Sequence, residues 1–310
     1  MIGENQMIDV CLAGTGGMMP LKNRWLTCFF MEYNGKGMLI DCGEGTQIAL
    51  ADADCKLSKL DVLFITHFHA DHISGLPGLL LSLGNFSKTT PLKIYLPQGG
   101  TEIVKNLCCI CPCLPYSLEI TELSTRHTEK FSVPELDMLE VTSMPLRHKV
   151  ECLGYSFRFS KKPVFNPVKA KELNIPVKKW SILHGGKSVE TDDGRIITPD
   201  MVIDGKRDPV KITYCTDTIF FKDMIDFAEN SDLLVSEGMY GDDENADDMR
   251  KKGHMLFSHS AELAVKSGSR ELWLTHYSPA LKNPSIYSSF VKKIFPNTVI
   301  SKDGIKKSFR

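Results

Sequence analysis

The stretch Thr66-His67-Phe68-His69-Ala70-Asp71-His72 lies between a predicted apolar strand and a predicted apolar helix. In an extended chain, residues two apart face the same way, so the side chains of His67 and His69 can converge on one ion. The helix that follows presents Asp71 and His72 towards a second point nearby. Imidazole and carboxylate groups are both ligands that suit zinc. Because a purely structural role rarely needs such a concentration of ligands, this spacing predicts a metal centre.

The whole chain has the composition of a globular protein. It has 310 residues, of which 42% are hydrophobic and 24% charged, and this excludes a disordered, collagen-like or coiled-coil chain. The formal net charge of −1 means that any binding site for a polyanion must be local. No apolar run approaches the length of a membrane span, and the first residues lack the basic and apolar regions of a secretory signal. We therefore expect a cytoplasmic protein without a membrane segment.

The cysteines of the chain are expected to be reduced thiols, since the predicted compartment is reducing. Four of the ten cysteines form the run Cys108-Cys109-Ile110-Cys111-Pro112-Cys113. Structural zinc sites use two such cysteine groups at a distance, and this run has no second half. We interpret it as small, half-buried thiols at a helix end and a turn, with a redox or adventitious metal role as the alternative.

Short apolar strands alternate with helix patterns along both halves of the chain. In the first half, Asn34-Gly35 joins two strands and is typical of a hairpin turn. In the second half, the pattern predicts strands at 211–214, 233–236 and 271–275, and helices at 220–229, 261–267 and 286–295. Strand-rich halves that each deliver helices indicate a layered α/β sandwich.

The segment 161–187 departs from the neutral charge of the rest of the chain. It contains seven lysines and one glutamate, which gives a local charge of +6, and three prolines interrupt it. The lysines are Lys161, Lys162, Lys169, Lys171, Lys178, Lys179 and Lys187. From the residues alone, the segment is either a solvated loop or a projecting arm that binds phosphates.

The HxHxDH pattern of residues 67–72 resembles the signature of the metallo-β-lactamase superfamily. Over nearly the whole chain, the wider context resembles the tRNase Z family of tRNA 3′-processing endoribonucleases. The blocks that carry this resemblance are residues 14–17, 39–47, 73–80, 145–148, 214–218 and 275–278. The resemblance implies a fold of the α/β (α+β) class, a four-layer αβ/βα sandwich. We expect one domain over residues 1–310, with an inserted basic arm at about 160–209.

Three residues far from the first motif lie near the ends of predicted strands, and such ends can gather along one rim of a layered sandwich. They are His148, Asp217 and His276. The ligands implied by the resemblance are His67, His69 and His148 for one zinc ion, Asp71, His72 and His276 for a second zinc ion, and Asp217 for both. Manganese or iron could occupy the same ligands. Asp41 is either a hydrogen-bond acceptor for a ligand histidine or a turn residue before Gly43.

Two further residues separate phosphodiester cleavage from other reactions. Glu237 follows an apolar strand, and His254 precedes a helix that contains alanine. The family pairs a glutamate with a histidine that protonates the leaving 3′ oxygen, and by resemblance these roles fall on Glu237 and His254. His259 is the alternative proton donor, because Ser260-Ala261 after it is similar to a family signature. By resemblance, Asp71 orients the attacking water.

The resemblance also implies that the basic arm holds the elbow of tRNA, so the seven lysines above are assigned to substrate binding. The arm departs from the family pattern, because Val177-Lys178-Lys179-Trp180 stands where a Gly-Pro pair is usual. Members of the family are often homodimers in which the arm of one subunit holds the substrate cleaved by the other. We therefore expect a homodimer that takes precursor tRNA as its partner.

The chain is thus predicted to be a zinc-dependent endoribonuclease that removes the 3′ trailer from precursor tRNA. The products would be a tRNA with a 3′-hydroxyl and a trailer with a 5′-phosphate. One alternative is a small-molecule phosphodiesterase or arylsulfatase-like hydrolase of the same fold, which would not need the lysine-rich arm. A second alternative is a non-enzymatic RNA-binding scaffold that keeps its metal ions for stability.

Overall fold

The computed structural model describes residues 7–161, 163–205 and 207–310. Its strands are β1 (Ile8–Gly14), β2 (Cys28–Tyr33), β3 (Lys36–Ile40), β4 (Leu60–Phe64), β5 (Leu92–Pro97), β6 (Leu118–Leu123), β7 (Glu129–Ser132), β8 (Leu139–Leu146), β9 (Cys152–Phe159), β10 (Val189–Glu190), β11 (Ile196–Ile197), β12 (Val210–Cys215), β13 (Leu233–Glu237), β14 (Leu272–Thr275), β15 (Thr298–Ile300) and β16 (Ile305–Phe309). Its helices are α1 (Thr46–Asp52), α2 (Ala70–Ile73), α3 (Leu76–Asn85), α4 (Gly100–Leu107), α5 (Pro167–Glu172), α6 (Val177–His184), α7 (Asp223–Phe227), α8 (Ala246–Lys252), α9 (Phe257–Lys266) and α10 (Ser288–Ile294). None of the helices in these ranges is both long and apolar enough to span a bilayer.

Two large sheets form the middle of the molecule. The first has the strand order β16-β1-β2-β3-β4-β5-β6, and the second has the order β15-β14-β13-β12-β9-β8-β7. In the second sheet β12, β13 and β14 are parallel, so their carboxyl ends lie at the same edge. Because β9 is antiparallel to both β8 and β12, the loop between β8 and β9 reaches that edge too.

The two sheets pack face to face through a core that is rich in buried aromatic side chains. The ring of Phe64 on β4 lies 5.2 Å from the ring of Tyr155 and 5.1 Å from that of Phe157, both on β9. Helices α1, α3 and α4 pack on the outer face of the first sheet, and α7, α9 and α10 pack on that of the second. Burial of apolar surface in these layers is the main force that stabilises the fold. The predicted four-layer sandwich is confirmed.

The structure contains all six strands and helices that the sequence predicts for the second half, and the helix boundaries differ most at α9 and α7. Helix α9 begins at Phe257, earlier than the predicted residue 261, because Nδ1 of His259 accepts a hydrogen bond from the backbone N–H of Leu256 at 3.2 Å. Helix α7 covers only Asp223–Phe227 of the predicted 220–229. The residues before it form turns in which Met224 N–H donates to the carbonyl of Phe221.

The cysteine run follows α4. Cys108–Ile110 form a 3-10 turn, and the thiol of Cys111 is buried and donates to the carbonyl of Pro77 at 3.6 Å. Cys109 and Cys113 are exposed. Burial raises the pKa of the Cys108 thiol to about 11, so this thiol is a poor nucleophile at neutral pH.

The inserted segment between β9 and β12 is folded. It contains α5, α6, β10 and β11 and has a small apolar core of its own, in which Trp180 and Leu183 pack against Val202. Trp180 also donates its indole N–H to the carbonyl of Ile175 at 2.9 Å. Asn166 caps α5 through its side-chain oxygen, which accepts hydrogen bonds from the first backbone N–H groups of that helix.

Three strand ends at the shared edge carry strained backbone. Asp41 after β3, Asp217 after β12 and His276 after β14 have φ values of 63°, 55° and 57°. Residues other than glycine seldom adopt this left-handed region, and such strain concentrates at functional sites. The unusual backbone turns these side chains towards the space between the two sheets' edges.

Candidate metal centre

The first group of ligand atoms comes from three separate segments. Nε2 of His67 lies 3.0 Å from Nδ1 of His69, and Nδ1 of His69 lies 3.3 Å from Nε2 of His148. Oδ2 of Asp217 faces the same point, 3.7 Å from Nε2 of His67 and 3.9 Å from Nε2 of His148. These four side chains form one group that could hold a metal ion.

The second group lies beside the first. Nε2 of His72 is 3.2 Å from Nε2 of His276, and Oδ2 of Asp71 is 3.5 Å from the former atom and 3.4 Å from the latter. The other carboxylate oxygen of Asp217, Oδ1, lies 3.4 Å from Nε2 of His72 and 3.3 Å from Nε2 of His276. Asp217 therefore directs one oxygen to each group.

These separations fit a pair of tetrahedral ions. Ligand atoms of an ion with bonds of about 2.0–2.1 Å in tetrahedral geometry lie about 3.3–3.4 Å from one another. The distances within the two groups range from 3.0 Å between His67 and His69 to 3.9 Å between His148 and Asp217. Imidazole nitrogens and carboxylate oxygens that face one another at such distances repel unless a cation or a proton lies between them. The donor set thus fits two cations that share the carboxylate of Asp217.

Two of the ring nitrogens that point away from this centre, those of His72 and His148, are held by hydrogen bonds. Nδ1 of His72 lies 2.8 Å from Oδ2 of Asp41, and Nδ1 of His148 donates to the carbonyl of Gly253 at 2.9 Å. A proton on Nδ1 leaves Nε2 bare, which is the state that binds a metal. The sequence left two alternatives for Asp41, a hydrogen-bond acceptor for a ligand histidine and a turn residue. In the structure it is both, because its backbone is left-handed and its carboxylate contacts His72.

Buried carboxylates draw positive charge into the second group. Burial opposes a charged imidazole at His276, but the carboxylate of Asp217 and a hydrogen bond with Asp71 raise its pKa to about 10. Burial also opposes the charged form of His72, but the carboxylates of Asp217, Asp41 and Asp71 together outweigh burial and raise its pKa. In the first group, burial and the neighbouring His72 hold the pKa of His67 well below its ordinary value. A divalent metal binds neutral imidazoles, so a metal in the second group would have to displace protons from His72 and His276, whereas His67 is already neutral.

A buried acid–base pair adjoins the two groups. Nδ1 of His254 lies 2.9 Å from Oε2 of Glu237 and 3.9 Å from Oδ2 of Asp217. The imidazole ring of His254 is 5.0 Å from that of His148 and 5.7 Å from that of His276. A histidine in this place can exchange a proton with a group bound at the centre.

His259, the alternative to His254, points elsewhere. It lies within the first turn of α9, where its Nδ1 accepts the N–H of Leu256 at 3.2 Å. A ring nitrogen that caps a helix is committed to the backbone, so this geometry favours His254.

Sequence reasoning missed two backbone groups that belong to the site. The N–H of Met18 donates to Oδ2 of Asp71 at 2.6 Å, and the carbonyl of Gly253 receives Nδ1–H of His148. Main-chain groups occur at every residue, so nothing in the sequence distinguishes these two. Gly17 lies in the block 14–17 that resembles the family. Glycine is needed there for a steric reason, because a Cβ would lie 2.7 Å from the ring of His276.

The lysines of the inserted segment divide into paired and exposed sets. The Nζ atom of Lys161 donates to the carbonyl of Arg310, Lys169 forms an ion pair with Asp204, and Lys179 forms one with Asp192. Lys169 is exposed as well as paired. Lys171, Lys178 and Lys187 are exposed, and none of these three takes part in an ion pair with the residues that the structure describes. Lys162 lies outside the described residues.

Comparison with known proteins places the chain among relatives of nearly equal length. It is 45% identical over 298 residues to Ribonuclease Z of Agathobacter rectalis, which covers 96% of this chain and 97% of that protein. Residues 8–109, about a third of the chain, match the family described as Anti-Pycsar protein Apyc1.

Solved structures share the fold. The short form of human tRNase Z superposes with a TM-score of 0.69 at 20% identity, covering 96% of this chain and 98% of that one. The metallo-β-lactamase-fold protein YhfI of Bacillus subtilis also has a TM-score of 0.69 at 20% identity, covering 98% of this chain and 100% of that one. The sequence identity to Ribonuclease Z and the shared fold together confirm the resemblance that the motifs indicated. The chain belongs to the ribonuclease Z family and is a hydrolase that acts as an endoribonuclease.

Proposed function

We propose that this protein is a zinc-dependent endoribonuclease that hydrolyses precursor tRNA at the start of its 3′ trailer. The products would be a tRNA with a 3′-hydroxyl and a trailer with a 5′-phosphate. The observation that carries the proposal is the placement of the Glu237–His254 pair beside two ligand groups that share Asp217. The relatives named Ribonuclease Z support the same activity.

The residues that would hold two zinc ions divide at Asp217. The proposed ligands are His67, His69 and His148 for one ion, Asp71, His72 and His276 for the other, and Asp217 for both. When bound, two adjacent ions supply charge for a phosphate oxygen and lower the pKa of water. Oxygen and nitrogen ligands of this kind also accept manganese or iron. We propose zinc because the spacing of the ligand atoms is tetrahedral, which is the geometry that zinc prefers.

Asp71 is proposed to orient the attacking water as a hydrogen-bond acceptor. Burial opposes its ionisation, but hydrogen bonds with His276 and His72 outweigh burial and hold the pKa of this carboxyl well below its ordinary value. The N–H of Met18 fixes one carboxylate oxygen at 2.6 Å. An ionised carboxylate held in one orientation can align a water molecule with the phosphorus atom.

His254 is proposed to protonate the leaving 3′ oxygen. Burial opposes the charged form of this imidazole, but the carboxylate of Glu237 outweighs burial and raises the pKa of His254. The ring therefore carries a proton at higher pH than an ordinary histidine does, which suits a general acid. Its side chain is 12% exposed, so a substrate can reach it from solvent.

The inserted segment is proposed to be an arm that holds tRNA, within one domain over residues 1–310. Lys171, Lys178 and Lys187 are exposed and therefore available to phosphates, whereas Lys161, Lys169 and Lys179 bind groups of the protein itself. We propose that the exposed lysines contribute most of the binding energy. On the resemblance to this family we also propose a homodimer and a cytoplasmic location.

The decisive experiment incubates the purified full chain with a tRNA transcript that carries a 3′ extension, with and without a chelator. We expect one cut at the start of the trailer, a 3′-hydroxyl on the tRNA, and loss of cleavage with chelator that zinc restores. Asp71→Ala should abolish cleavage while tRNA still binds. Cleavage that continues in the chelator, or in this variant, would contradict the proposal.

Deletion of residues 161–187 separates this proposal from its alternatives. A tRNA enzyme should lose binding of the transcript and keep turnover of a small phosphodiester such as bis(p-nitrophenyl) phosphate. A small-molecule hydrolase should show no cleavage of the transcript before or after the deletion. A scaffold should bind RNA and hydrolyse neither substrate.

A further inference from the structure

The carbonyl group of Gly253 is built into the candidate metal centre. It accepts a hydrogen bond from Nδ1 of His148 at 2.9 Å. Because a carbonyl can only accept, Nδ1 of His148 must carry the ring proton. Nε2 is then unprotonated and faces His69 and Asp217. The orientation of one candidate ligand thus depends on a main-chain oxygen from a distant segment.

Only glycine fits at this position. Gly253 has a φ of 81°, a left-handed conformation that side chains with a Cβ seldom adopt. A Cβ built on this backbone would lie 2.8 Å from Nδ1 of His148 and 3.4 Å from both its Cα and the N atom of Lys149. Any side chain would therefore push the imidazole away from the carbonyl that orients it.

The next residue in the chain is His254, the proposed proton donor. The end of α8 shapes this short segment, because Gly253 N–H donates to the carbonyl of Arg250 at 3.2 Å and His254 N–H donates to that of Met249 at 2.9 Å. One peptide unit therefore joins the oxygen that orients His148 to the residue whose ring lies 5.0 Å from the His148 ring. A shift of this peptide unit therefore displaces both the carbonyl that orients His148 and the backbone of His254.

We propose that Gly253 is a positioning residue that orients His148 for metal binding and thereby makes the placement of His254 depend on the seating of that ligand. The second part rests on the proposed function, in which His254 donates a proton. The first part concerns metal binding alone. Hydrogen-bond partners behind a metal ligand typically change metal affinity or activity by about 10–100-fold when they are altered.

The test compares two glycine substitutions in the full-length protein. Gly253→Ala introduces a Cβ into left-handed backbone and against His148. Gly35→Ala introduces one at a similar φ of 78°, in the hairpin turn between β2 and β3, where nothing lies within 4 Å of the new atom. The two variants share the backbone cost, and only the first one disturbs the imidazole.

Zinc binding is measured by competition with a chromogenic chelator, and cleavage is measured on the 3′-extended tRNA. For Gly253→Ala we expect the affinity for one of two zinc ions to fall at least about tenfold, together with cleavage. Gly35→Ala should match the wild type in both. His254→Ala should bind both ions normally and lose cleavage, because its ring is not among the proposed ligands.

A second variant covers the case in which Gly253→Ala does not fold. Asparagine tolerates left-handed backbone better than alanine but still carries a Cβ, so Gly253→Asn should show the same loss of one ion. Hydrogen–deuterium exchange of residues 246–256 gives an independent readout: zinc should slow exchange there in the wild type and not in the Gly253 variants. A merely structural glycine would not produce this zinc-dependent difference.

Tight binding of both ions by Gly253→Ala and Gly253→Asn, equal to that of Gly35→Ala, would overturn the proposal. Its failure is distinguishable from failure of the proposed function, because chelator competition needs no RNA. A different result would refute the assigned reaction and keep the positioning role. In that result the wild type binds two ions and leaves tRNA uncut, and the Gly253 variants bind one ion fewer.

Discussion

The carboxylate of Glu237 and the imidazole of His254 form a buried pair, with Oε2 of the former 2.9 Å from Nδ1 of the latter. The other oxygen of Glu237 accepts the N–H of Thr218 at 2.6 Å, in the turn that carries Asp217. Burial opposes ionisation of Glu237, but the charge of His254 and a hydrogen bond with it lower the pKa of this carboxyl. The buried carboxylate of Glu237 therefore positions both His254, the proposed proton donor, and the turn that carries Asp217, the proposed shared ligand.

Removing that charge should change the pH dependence of cleavage. Glu237 raises the pKa of His254, so Glu237→Gln should lower this pKa and shift the alkaline limb of the rate profile to lower pH. The protonated fraction of His254 then falls most at alkaline pH. We expect cleavage to drop at least about 100-fold there and less in mild acid, as judged from initial rates across the pH range.

Glu262→Gln is the matched control, since Glu262 forms an ion pair with Lys266 on the exposed face of α9, away from the proposed site. It should leave the profile unchanged. A uniform loss at every pH in Glu237→Gln would assign the residue a purely structural role.

A second prediction concerns Asp41, whose Oδ2 lies 2.8 Å from Nδ1 of His72. A carboxylate in this position increases the basicity of the ligand imidazole, and an amide does so less. Asp41→Asn should therefore weaken zinc binding by about 10–100-fold, measured by chelator competition. Asp52→Asn, which alters only an exposed contact with the indole N–H of Trp25, should bind zinc as the wild type does.

A third prediction separates the two lysine sets of the arm by their effect on salt dependence. A lysine that neutralises a phosphate contributes about 0.7–0.9 to the slope of log K against log salt concentration. Replacing Lys171, Lys178 and Lys187 with alanine should lower that slope for tRNA by about 2. The measurement is a series of binding isotherms at increasing salt concentration.

The comparison variant replaces the paired lysines, Lys161, Lys169 and Lys179. Because these side chains bind the carbonyl of Arg310 and two carboxylates, their loss should change the slope less. Equal slopes in the two triple variants would show that pairing within the arm does not determine which lysines reach the substrate.

A fourth prediction concerns stability at the base of the ligand motif. The N–H of Gly75 donates to the carbonyl of Cys42 at 2.9 Å, and a Cβ at Gly75 would lie 1.9 Å from the carbonyl oxygen of Gly43. Gly75→Ala must separate two packed main-chain segments, so we expect it to lower the free energy of unfolding by about 3 kcal/mol or more. Urea unfolding measures this change.

The control lies in the same region. At Gly78, inside α3, the three atoms nearest to a new Cβ all belong to the flexible side chain of Gln47, the first of them at 3.1 Å. Alanine is the better helix former, so Gly78→Ala should stay within about 1 kcal/mol of the wild type. Similar losses in the two variants would remove the special role given to the contact between Gly75 and Gly43.

Local spacing alone was enough to predict the metal motif of this protein. His67 and His69 are two residues apart in extended chain, and Asp71 and His72 follow in a helix, so short-range geometry already directs these groups towards two nearby points. Alternating apolar strands and helices likewise predicted the layered sandwich, because each element must bury one face.

Tertiary structure alone decided the remaining features. The sequence named His148, Asp217 and His276 by resemblance, but their meeting with the first motif depends on the strand order of the second sheet and on the packing of the two sheets. The roles of the Gly253 carbonyl and the Met18 amide, and the division between paired and exposed lysines, likewise have no signature in the chain. These features depend on contacts between residues far apart in sequence, and such contacts exist only after the sheets have packed.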